Sequence, residues 1–406
     1  MTSGPILLVS YGGGHVAMMI PLARALLARG RDVRILALTT AEQAVRRAGL
    51  SSLGMRDFLR PEDDRARQWG ERLAAALDQS GLVPREESVA YLGLSYADLV
   101  DEVGEVEAVR RYAEQGRQAF RPVRLMSRIL SELRPSLVVA TNSPRAERAA
   151  IEAAGRLGLP SVCLVDLFAI EEVKYIGQAG YGDKVCVLDE HVRSRFLAAG
   201  RRPEEVVVTG NPAFDNLADD EIAVAGRQIR QRPEFRGKQV ILWASQPEPA
   251  RHRISGVEGD ATLPLRIQQK LADLVAARPD WLLVIRPHPS QGQDIKLNQP
   301  SENILLSPQS QALHPLLAAV DVVVCMTSTV GYEAAILGKP LVHLPLSIYA
   351  DEADYTEMGL ACTARGLDDL ERALALVLEG GWQSSVRLRP AGGATSAVIE
   401  VIEGLL

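Results

Sequence analysis

Short apolar runs of strand length alternate with longer amphipathic stretches along nearly the whole chain. Continuous apolar runs indicate strands buried on both faces, and their alternation with helical spacing is typical of βαβ units in a parallel sheet. In the first half, strands are predicted at residues 6–10, 33–38, 137–140, 161–165, 184–188 and 206–209. A second series is predicted at 240–244, 281–285, 304–306, 322–325 and 341–344.

The two series predict an α/β fold with two Rossmann-like doubly wound domains facing a cleft. Ligands of open parallel sheets bind beyond the carboxyl ends of the strands, so the cleft is the expected ligand site. We predict an N-terminal domain at 1–210 with a helical insertion at about 60–132, and a C-terminal domain at 211–394. Residues 395–406 have helical spacing and are predicted to cross back to the first domain.

Composition narrows the class of protein. The chain has 406 residues, 47% hydrophobic and 24% charged, which is typical of soluble globular proteins. A formal net charge of −6 argues against a general nucleic-acid partner, which usually requires a basic footprint. The four cysteines are scattered and predict neither a disulfide framework nor a zinc site. With no leader or membrane span predicted, we expect a cytoplasmic protein, and peripheral contact with a membrane is left open.

The segment 322–340 carries the strongest chemical signal. It predicts a buried strand, a turn with the hydroxyls of Thr327, Ser328 and Thr329, and a short helix. The start of that helix presents unpaired N–H groups and a positive dipole end, which suit a phosphate. Glu333 follows, where its carboxylate could accept hydrogen bonds from a ribose diol. The alternative is that Thr327 or Ser328 only caps the helix and Glu333 completes a capping box.

The first predicted strand ends in a glycine-rich loop. Gly13 and Gly14 allow the backbone to approach a ligand closely, and His15 follows at the start of the next helix. A neutral imidazole there could take a proton from a substrate hydroxyl. The dinucleotide fingerprint is absent. The alternative is a plain turn with His15 as a helix cap.

Other strand ends also carry polar groups. Arg286 and His288 could face a diphosphate, and Ser245 and Gln246 could offer donors to the same phosphates. The alternatives are a solvated loop and an ordinary turn. Asp166 ends another strand, where it could act as an acid or base or simply be exposed.

These motifs resemble the GT-B superfamily of nucleotide-sugar glycosyltransferases and UDP-N-acetylglucosamine 2-epimerases. The loop 11–15 is similar to the first loop of peptidoglycan N-acetylglucosaminyltransferases, and 204–211 with Asp215 is similar to a stretch of the epimerases. The segment from Thr327 through Pro340 is similar to both groups. The resemblance implies that Ser328 and Thr329 contact the diphosphate, that Glu333 holds the ribose, and that Arg286 and His288 lie near the base or the phosphates.

Departures from the epimerase pattern favour transfer over epimerisation. The pair His252–Arg253 stands in a different setting from the His-Arg pair of the epimerases, and the Thr-Glu-Arg-Pro-Glu segment is missing after Pro340. We therefore expect an inverting, metal-independent glycosyltransferase with catalytic His15 and Asp166. It would need no cofactor, since the donor is a nucleotide-diphosphate sugar, expected to be UDP-linked. The resemblance implies that the C-terminal domain binds this nucleotide sugar and that the N-terminal domain binds the acceptor, which is not specified. The alternatives are a 2-epimerase or a non-catalytic nucleotide-sugar-binding protein.

Overall fold

The computed structural model describes residues 4–77, 81–252, 256–288, 290 and 301–406. The chain divides into two compact units. Unit 1 contains Met1–Asp215 and Gly393–Leu406, and unit 2 contains Asn216–Gly392. Each unit is built around one six-stranded parallel sheet.

The sheet of unit 1 has the order β2-β1-β3-β4-β5-β6. Its strands are β1 (Ile6–Ser10), β2 (Val33–Ala37), β3 (Leu137–Thr141), β4 (Ser161–Leu164), β5 (Lys184–Val187) and β6 (Val206–Val208). Its helices are α1 (Gly14–Ala28), α2 (Ala41–Arg47), α3 (Asp64–Ala74), α4 (Arg85–Val103), α5 (Glu105–Gln115), α6 (Val123–Leu133), α7 (Ala146–Leu157), α8 (Val173–Ile176) and α9 (Glu190–Ala198), and α15 (Ala394–Glu403) at the end of the chain.

The sheet of unit 2 has the order β12-β11-β10-β7-β8-β9. Its strands are β7 (Gln239–Ala244), β8 (Trp281–Arg286), β9 (Ile304–Leu306), β10 (Val322–Cys325), β11 (Leu341–His343) and β12 (Cys362–Thr363). Its helices are α10 (Asp220–Arg230), α11 (Leu263–Ala276), α12 (Leu313–Ala319), α13 (Thr329–Ile336) and α14 (Leu370–Leu378).

Apolar burial holds each sheet between helices. In unit 1, Met18 and Leu22 of α1 and Ile399 of α15 pack with strand residues such as Leu8 and Val139. In unit 2, helices α11 and α14 cover a face of the sheet that includes the fully buried Trp243. The predicted fold class, two doubly wound α/β domains, is confirmed. The sequence reading missed β12, because a two-residue strand carries too little pattern to be recognised.

Between β2 and β3 the described chain forms α2 and, after it, the helices α3 to α6. Helices α3 and α4 approach each other closely through two glycines. A Cβ on Gly70 would lie 2.1 Å from the carbonyl oxygen of Val89, and one on Gly93 would lie 2.0 Å from that of Ala66. Both glycines are therefore required by the packing of these two helices.

Helix α15, the last helix of the chain, is hydrogen-bonded to Asp215, where the first segment of unit 1 ends. The carboxylate of Asp215 accepts hydrogen bonds from the N–H groups of Ala394, at 2.9 Å, and Thr395, at 2.7 Å. The carboxylate of Asp215 therefore caps α15. The observed division falls after Asp215, five positions beyond residue 210.

No helix in the described part of the chain combines the length and the apolarity needed to cross a bilayer.

The buried imidazole of His343 predicts an acid-sensitive unit 2. Its side chain is fully buried on β11, contacts Thr356 through Nδ1 at 3.0 Å, and lies 3.5 Å from Asp354. Burial lowers the pKa of His343 to about 4, although Asp354 opposes this shift. The unfolded chain, with a histidine pKa near 6.5, then binds more protons than the folded chain between about pH 6.5 and 4. Stability should therefore fall by about 3 kcal/mol as the pH drops through that window.

This effect can be measured by urea unfolding followed by tryptophan fluorescence, since Trp243, Trp281 and Trp382 all lie in unit 2. His343→Gln should lose most of the pH dependence, whatever its stability at pH 7. His288→Gln, which changes an exposed histidine of the same unit, should retain it. Equal slopes for the two variants would show that His343 is not the titrating group.

Candidate active site

The strand order of each sheet reverses at one place, between β1 and β3 in unit 1 and between β7 and β10 in unit 2. Connections leave in opposite directions from such a switch point, so the carboxyl ends of the two strands are left uncovered. Several predicted site residues lie at these two places.

In unit 2, the loops after β7 and β10 are joined by a pair of hydrogen bonds. The amide of Gln246 donates to the hydroxyl of Thr327 at 2.8 Å, and its oxygen accepts from the N–H of Thr327 at 3.0 Å. Ser245 is buried beside it and donates its N–H to the carbonyl of Arg286 at 3.0 Å. Gln246 and Thr327 thus position the turn, and the Thr327 N–H is already occupied.

The turn leads into α13, whose first residues combine capping with unpaired donors. The hydroxyl of Ser328 accepts from the N–H of Val330 at 3.4 Å, and the carbonyl of Ser328 accepts from the hydroxyl of Tyr355 at 2.7 Å. Ser328 is therefore the helix cap, as the alternative interpretation had it. Neither the N–H nor the hydroxyl of Thr329 has a partner among the described residues. These donors and the helix dipole can accept an anion at the switch point.

Glu333 lies on the second turn of α13 and forms no capping box. It is buried, and its Oε2 lies 2.7 Å from Nε2 of His314 on α12. His314 is a further candidate residue, which the sequence pattern does not single out. Nothing in the spacing of α12 and α13 reveals that these two side chains meet. The pair offers a carboxylate and an imidazole to a polar ligand beside α13.

Arg286 is held by the loop that follows β9. Its Nη1 donates to the hydroxyl of Ser307 at 3.0 Å and to the carbonyls of Pro308 at 2.7 Å and Gln311 at 2.8 Å. Burial lowers its pKa. His288, two residues on, is exposed, and its Nδ1 lies 2.7 Å from the hydroxyl of Ser290. In the structure Arg286 braces a loop beside the switch point, and contact with a diphosphate stays a prediction.

His252, the first residue of the pair His252–Arg253, lies in the loop after β7. Arg253 lies outside the described residues. The ring of His252 packs against that of Tyr349, with centroids 4.7 Å apart, and its Nε2 lies 3.5 Å from Glu352. His252 thus joins the loop after β7 to the loop after β11.

In unit 1, the glycine-rich loop follows β1. Gly13 has a φ of 70°, which a residue with a side chain adopts only with strain, and Gly13 and Gly14 are both exposed. His15 is the second residue of α1. Its Nδ1 is buried and has no hydrogen-bond partner among the described residues, whereas its Nε2 is not buried. The imidazole is therefore placed with one nitrogen inward and the other accessible.

Glu147, on the first turn of α7 after β3, is a candidate residue that the sequence pattern does not single out. Its side chain is fully buried, and its Oε1 accepts from the N–H of Tyr11 at 2.8 Å and from the hydroxyl of Thr141 at 2.5 Å. Its Oε2 is buried without a partner among the described residues. Burial raises the pKa of Glu147, and His15 is the charged group that most opposes this rise. An acidic residue in the first turn of a helix is so common that the sequence gives no signal.

Asp166 follows β4 and is held by its neighbours. The side-chain amide of Asn142 donates to its Oδ1 at 2.9 Å, and the amide of Asn211 donates to its backbone carbonyl at 2.6 Å. Nearby, burial raises the pKa of Glu172, with Asp166 and Glu171 adding to the rise and His15 opposing it. The carboxyl edge of β1, β3 and β4 thus brings His15 near Glu147 and Glu172, with Asp166 anchored between strands.

No three His, Cys, Asp or Glu side chains in the described ranges are grouped so that they could hold a metal ion.

Comparisons with known proteins agree on the fold. The family model of CDP-glycerol:poly(glycerophosphate) glycerophosphotransferase matches residues 176–358, under half of the chain. Among curated proteins no significant match is found. Solved structures match along the whole length. The UDP-bound MnaA of S. aureus has 14% identity and a TM-score of 0.60, covering 99% of this chain and 98% of that one.

Two further solved structures share this fold. The UDP-GlcNAc 2-epimerase of Neisseria meningitidis, bound to UDP-GlcNAc, has 13% identity and a TM-score of 0.60 over 98% of this chain and all of the other. MurG of Acinetobacter baumannii has 13% identity and a TM-score of 0.54 over 99% of each chain. At these identities the likeness shows the fold, and the resemblance to the GT-B superfamily is confirmed at that level.

Removing the charge of Glu147 or of Glu42, two buried glutamates of unit 1, should change the stability of the fold in opposite directions. Glu147 has a raised pKa because of its burial, so its ionisation costs stability as the pH rises above its unfolded value. Glu42 has a lowered pKa because Arg56 donates to it, with burial opposing and Arg46 assisting, so its charge stabilises the fold above its unfolded pKa. In urea unfolding at pH 7, Glu147→Gln should be more stable than the natural chain. Glu42→Gln should lose about 2–3 kcal/mol.

A loss of stability in Glu147→Gln comparable to that of Glu42→Gln would identify Glu147 as a structural group. A gain would be typical of a residue that is kept for its chemistry at a cost in stability.

Proposed function

We propose that this protein is an inverting, metal-independent glycosyltransferase that moves a sugar from a nucleotide-diphosphate sugar, a UDP-sugar, to an acceptor hydroxyl. The observation that carries this proposal is the placement of His15, with Nδ1 buried, Nε2 accessible and the buried carboxylate of Glu147 nearby. A carboxylate near an imidazole stabilises the imidazolium and so favours transfer of a proton to the ring. Solved structures of the same fold that contain UDP or UDP-GlcNAc support the choice of donor.

In this mechanism Nε2 of His15 takes the proton of the acceptor hydroxyl. The acceptor oxygen forms a bond to the anomeric carbon while the bond from that carbon to the diphosphate oxygen breaks, with inversion. The imidazolium that forms is stabilised by Glu147. Asp166 is assigned to orientation within unit 1, since its side chain is already bonded to Asn142.

Unit 2 is assigned the donor. The free N–H and hydroxyl of Thr329, at the positive end of α13, would stabilise the charge on the departing diphosphate. Glu333, paired with His314, would accept hydrogen bonds from the ribose. No cofactor enters this mechanism, because the donor carries its own leaving group.

A second candidate is glycerophosphate transfer, which the family match over residues 176–358 favours. The residues of unit 2 that are assigned to the nucleotide-sugar donor would then bind CDP-glycerol. The acceptor oxygen would attack phosphorus, and a phosphoanhydride bond would break. The released nucleotide separates the two reactions, because sugar transfer yields a nucleoside diphosphate and glycerophosphate transfer yields a nucleoside monophosphate. Incubation with UDP-GlcNAc, other UDP-sugars and CDP-glycerol, followed by nucleotide analysis, decides between them.

A third outcome of that experiment is epimerisation. Acidic side chains with raised pKa values, Glu147 and Glu172, lie near His15 and could move protons on a bound sugar. An epimer or a free sugar formed from UDP-GlcNAc without an acceptor would replace transfer by this reaction. Nucleotide binding with no turnover of any donor would leave a binding protein.

His15→Ala should lower the rate of transfer by about 10²–10⁴-fold, because a general base contributes about this much. Its affinity for UDP, measured by calorimetry, should be unchanged, since His15 belongs to unit 1 and the nucleotide is assigned to unit 2. His191→Ala, on helix α9 of unit 1, is the matched control and should keep full activity. Retained transfer in His15→Ala would exclude it as the base.

Glu333→Ala should weaken UDP binding by about 10–100-fold, which corresponds to the loss of hydrogen bonds to a charged group. Glu379→Ala changes an exposed glutamate of the same unit and should leave binding unaltered. Calorimetry gives both affinities directly. If the two variants bind UDP equally well, Glu333 does not contact the nucleotide.

A further inference from the structure

Unit 1 contains a cavity of about 640 Å³ beside the glycine-rich loop. Its lining includes Thr39 and Thr40, which follow β2, residues at the end of α3, and residues of α4 and the segment before it. This volume lies within the range of small-molecule sites.

Two contacts join the cavity to the loop that carries His15. Gly12 packs directly on Thr40, since a Cβ on Gly12 would lie 1.9 Å from the Thr40 hydroxyl oxygen. Tyr91, another residue of the lining, has its hydroxyl 2.6 Å from that of Tyr11. A molecule in the cavity is therefore next to the loop 11–15.

Part of the lining of this cavity is apolar. Leu77, Val83 and Pro84 are at least partly exposed, so their side chains are available to a ligand, and Leu92 lies buried behind them. Covering exposed apolar side chains favours binding of an apolar group.

Two cations, Arg85 and Arg117, also line the cavity. Arg85 is paired with Glu71 at 2.5 Å, whereas the guanidinium of Arg117 forms no salt bridge or hydrogen bond with the described residues.

A third cation, Arg145, lies against Tyr11. Arg145 packs on the ring of Tyr11 at 4.5 Å, and its Nε is buried with no acceptor in the described part of the chain. Burial raises the pKa of Tyr91, and Arg145 and Arg117 both oppose that rise, so both cations act on the cavity wall.

We infer that this cavity binds the acceptor and that the acceptor is an amphipathic organic anion. Its apolar part packs on Leu77 and Val83, and its phosphate or carboxylate pairs with Arg117. The assignment of the bound molecule as acceptor rests on the proposed function. The binding itself does not.

Calorimetry with simple probes tests the ligand class. Octyl phosphate and octanoate, below their micelle concentrations, carry the two candidate anions on similar chains. Octyl glucoside has the chain without the charge, and inorganic phosphate has the charge without the chain. At least one amphipathic anion should bind saturably, and both controls should bind at least 10-fold more weakly. The better of the two anions identifies the headgroup.

Variants then locate the site. Arg117→Gln should weaken binding of the anion by about 10–100-fold. Arg156→Gln removes an exposed arginine outside the cavity and should have no effect. Ser88→Trp, which places a large side chain in the lining, should abolish binding. Circular dichroism and UDP affinity, measured for each variant, show whether it is folded.

The inference is overturned if octyl glucoside binds as well as the anions, if neither anion binds, or if Arg117→Gln and Arg156→Gln behave alike. Binding of UDP without binding of the anions would overturn the cavity inference alone. Binding of the anions without binding of any nucleotide would leave the cavity inference standing and remove the proposed function.

Discussion

The reversal of strand order in each sheet is the constraint on which the candidate site depends. Parallel strands require crossover helices, and at the reversal two neighbouring crossovers leave on opposite faces. The carboxyl ends of β1 and β3, and of β7 and β10, are therefore uncovered. His15 and Glu147 follow the first pair of strands, and Gln246 and Thr327 follow the second. The chemistry of the protein is thus concentrated where the topology leaves room.

The polar groups at the two reversals of strand order differ in how many of them have hydrogen-bond partners. In unit 2 most polar groups already have partners: Gln246 holds Thr327, Ser328 caps α13, and Glu333 meets His314. These bonds keep the turn in a fixed shape, so the donors of Thr329 are preorganised, which would limit the entropy lost on binding the proposed donor. Rigid support around a few free donors is a suitable arrangement for an anion.

Unit 1 contains the less stable arrangement. Glu147 is fully buried with one oxygen unpaired, and the Nδ1 of His15 is buried and unpaired as well. Leaving such groups without partners costs stability, which natural proteins tolerate mainly where the groups have a chemical task. The neighbouring cavity is lined by Arg117, and the buried Nε of Arg145, against the ring of Tyr11, has no acceptor among the described residues. Unpaired buried groups are thus concentrated around the loop that carries His15, whereas the turn before α13 is held by hydrogen bonds.

The sequence by itself determined the strands, the parallel sheets and the two-domain α/β class, because burial of continuous apolar runs depends on local pattern. It also pointed to the loops 11–15 and 327–333, since glycines and hydroxyls at strand ends are local signals. Only the tertiary structure decided which side chains meet. The pairs of Glu333 with His314 and Asp215 with α15, and the proximity of Glu147 to His15, join residues 19, 179 and more than a hundred positions apart. Such contacts depend on strand order and helix packing, which no local pattern encodes.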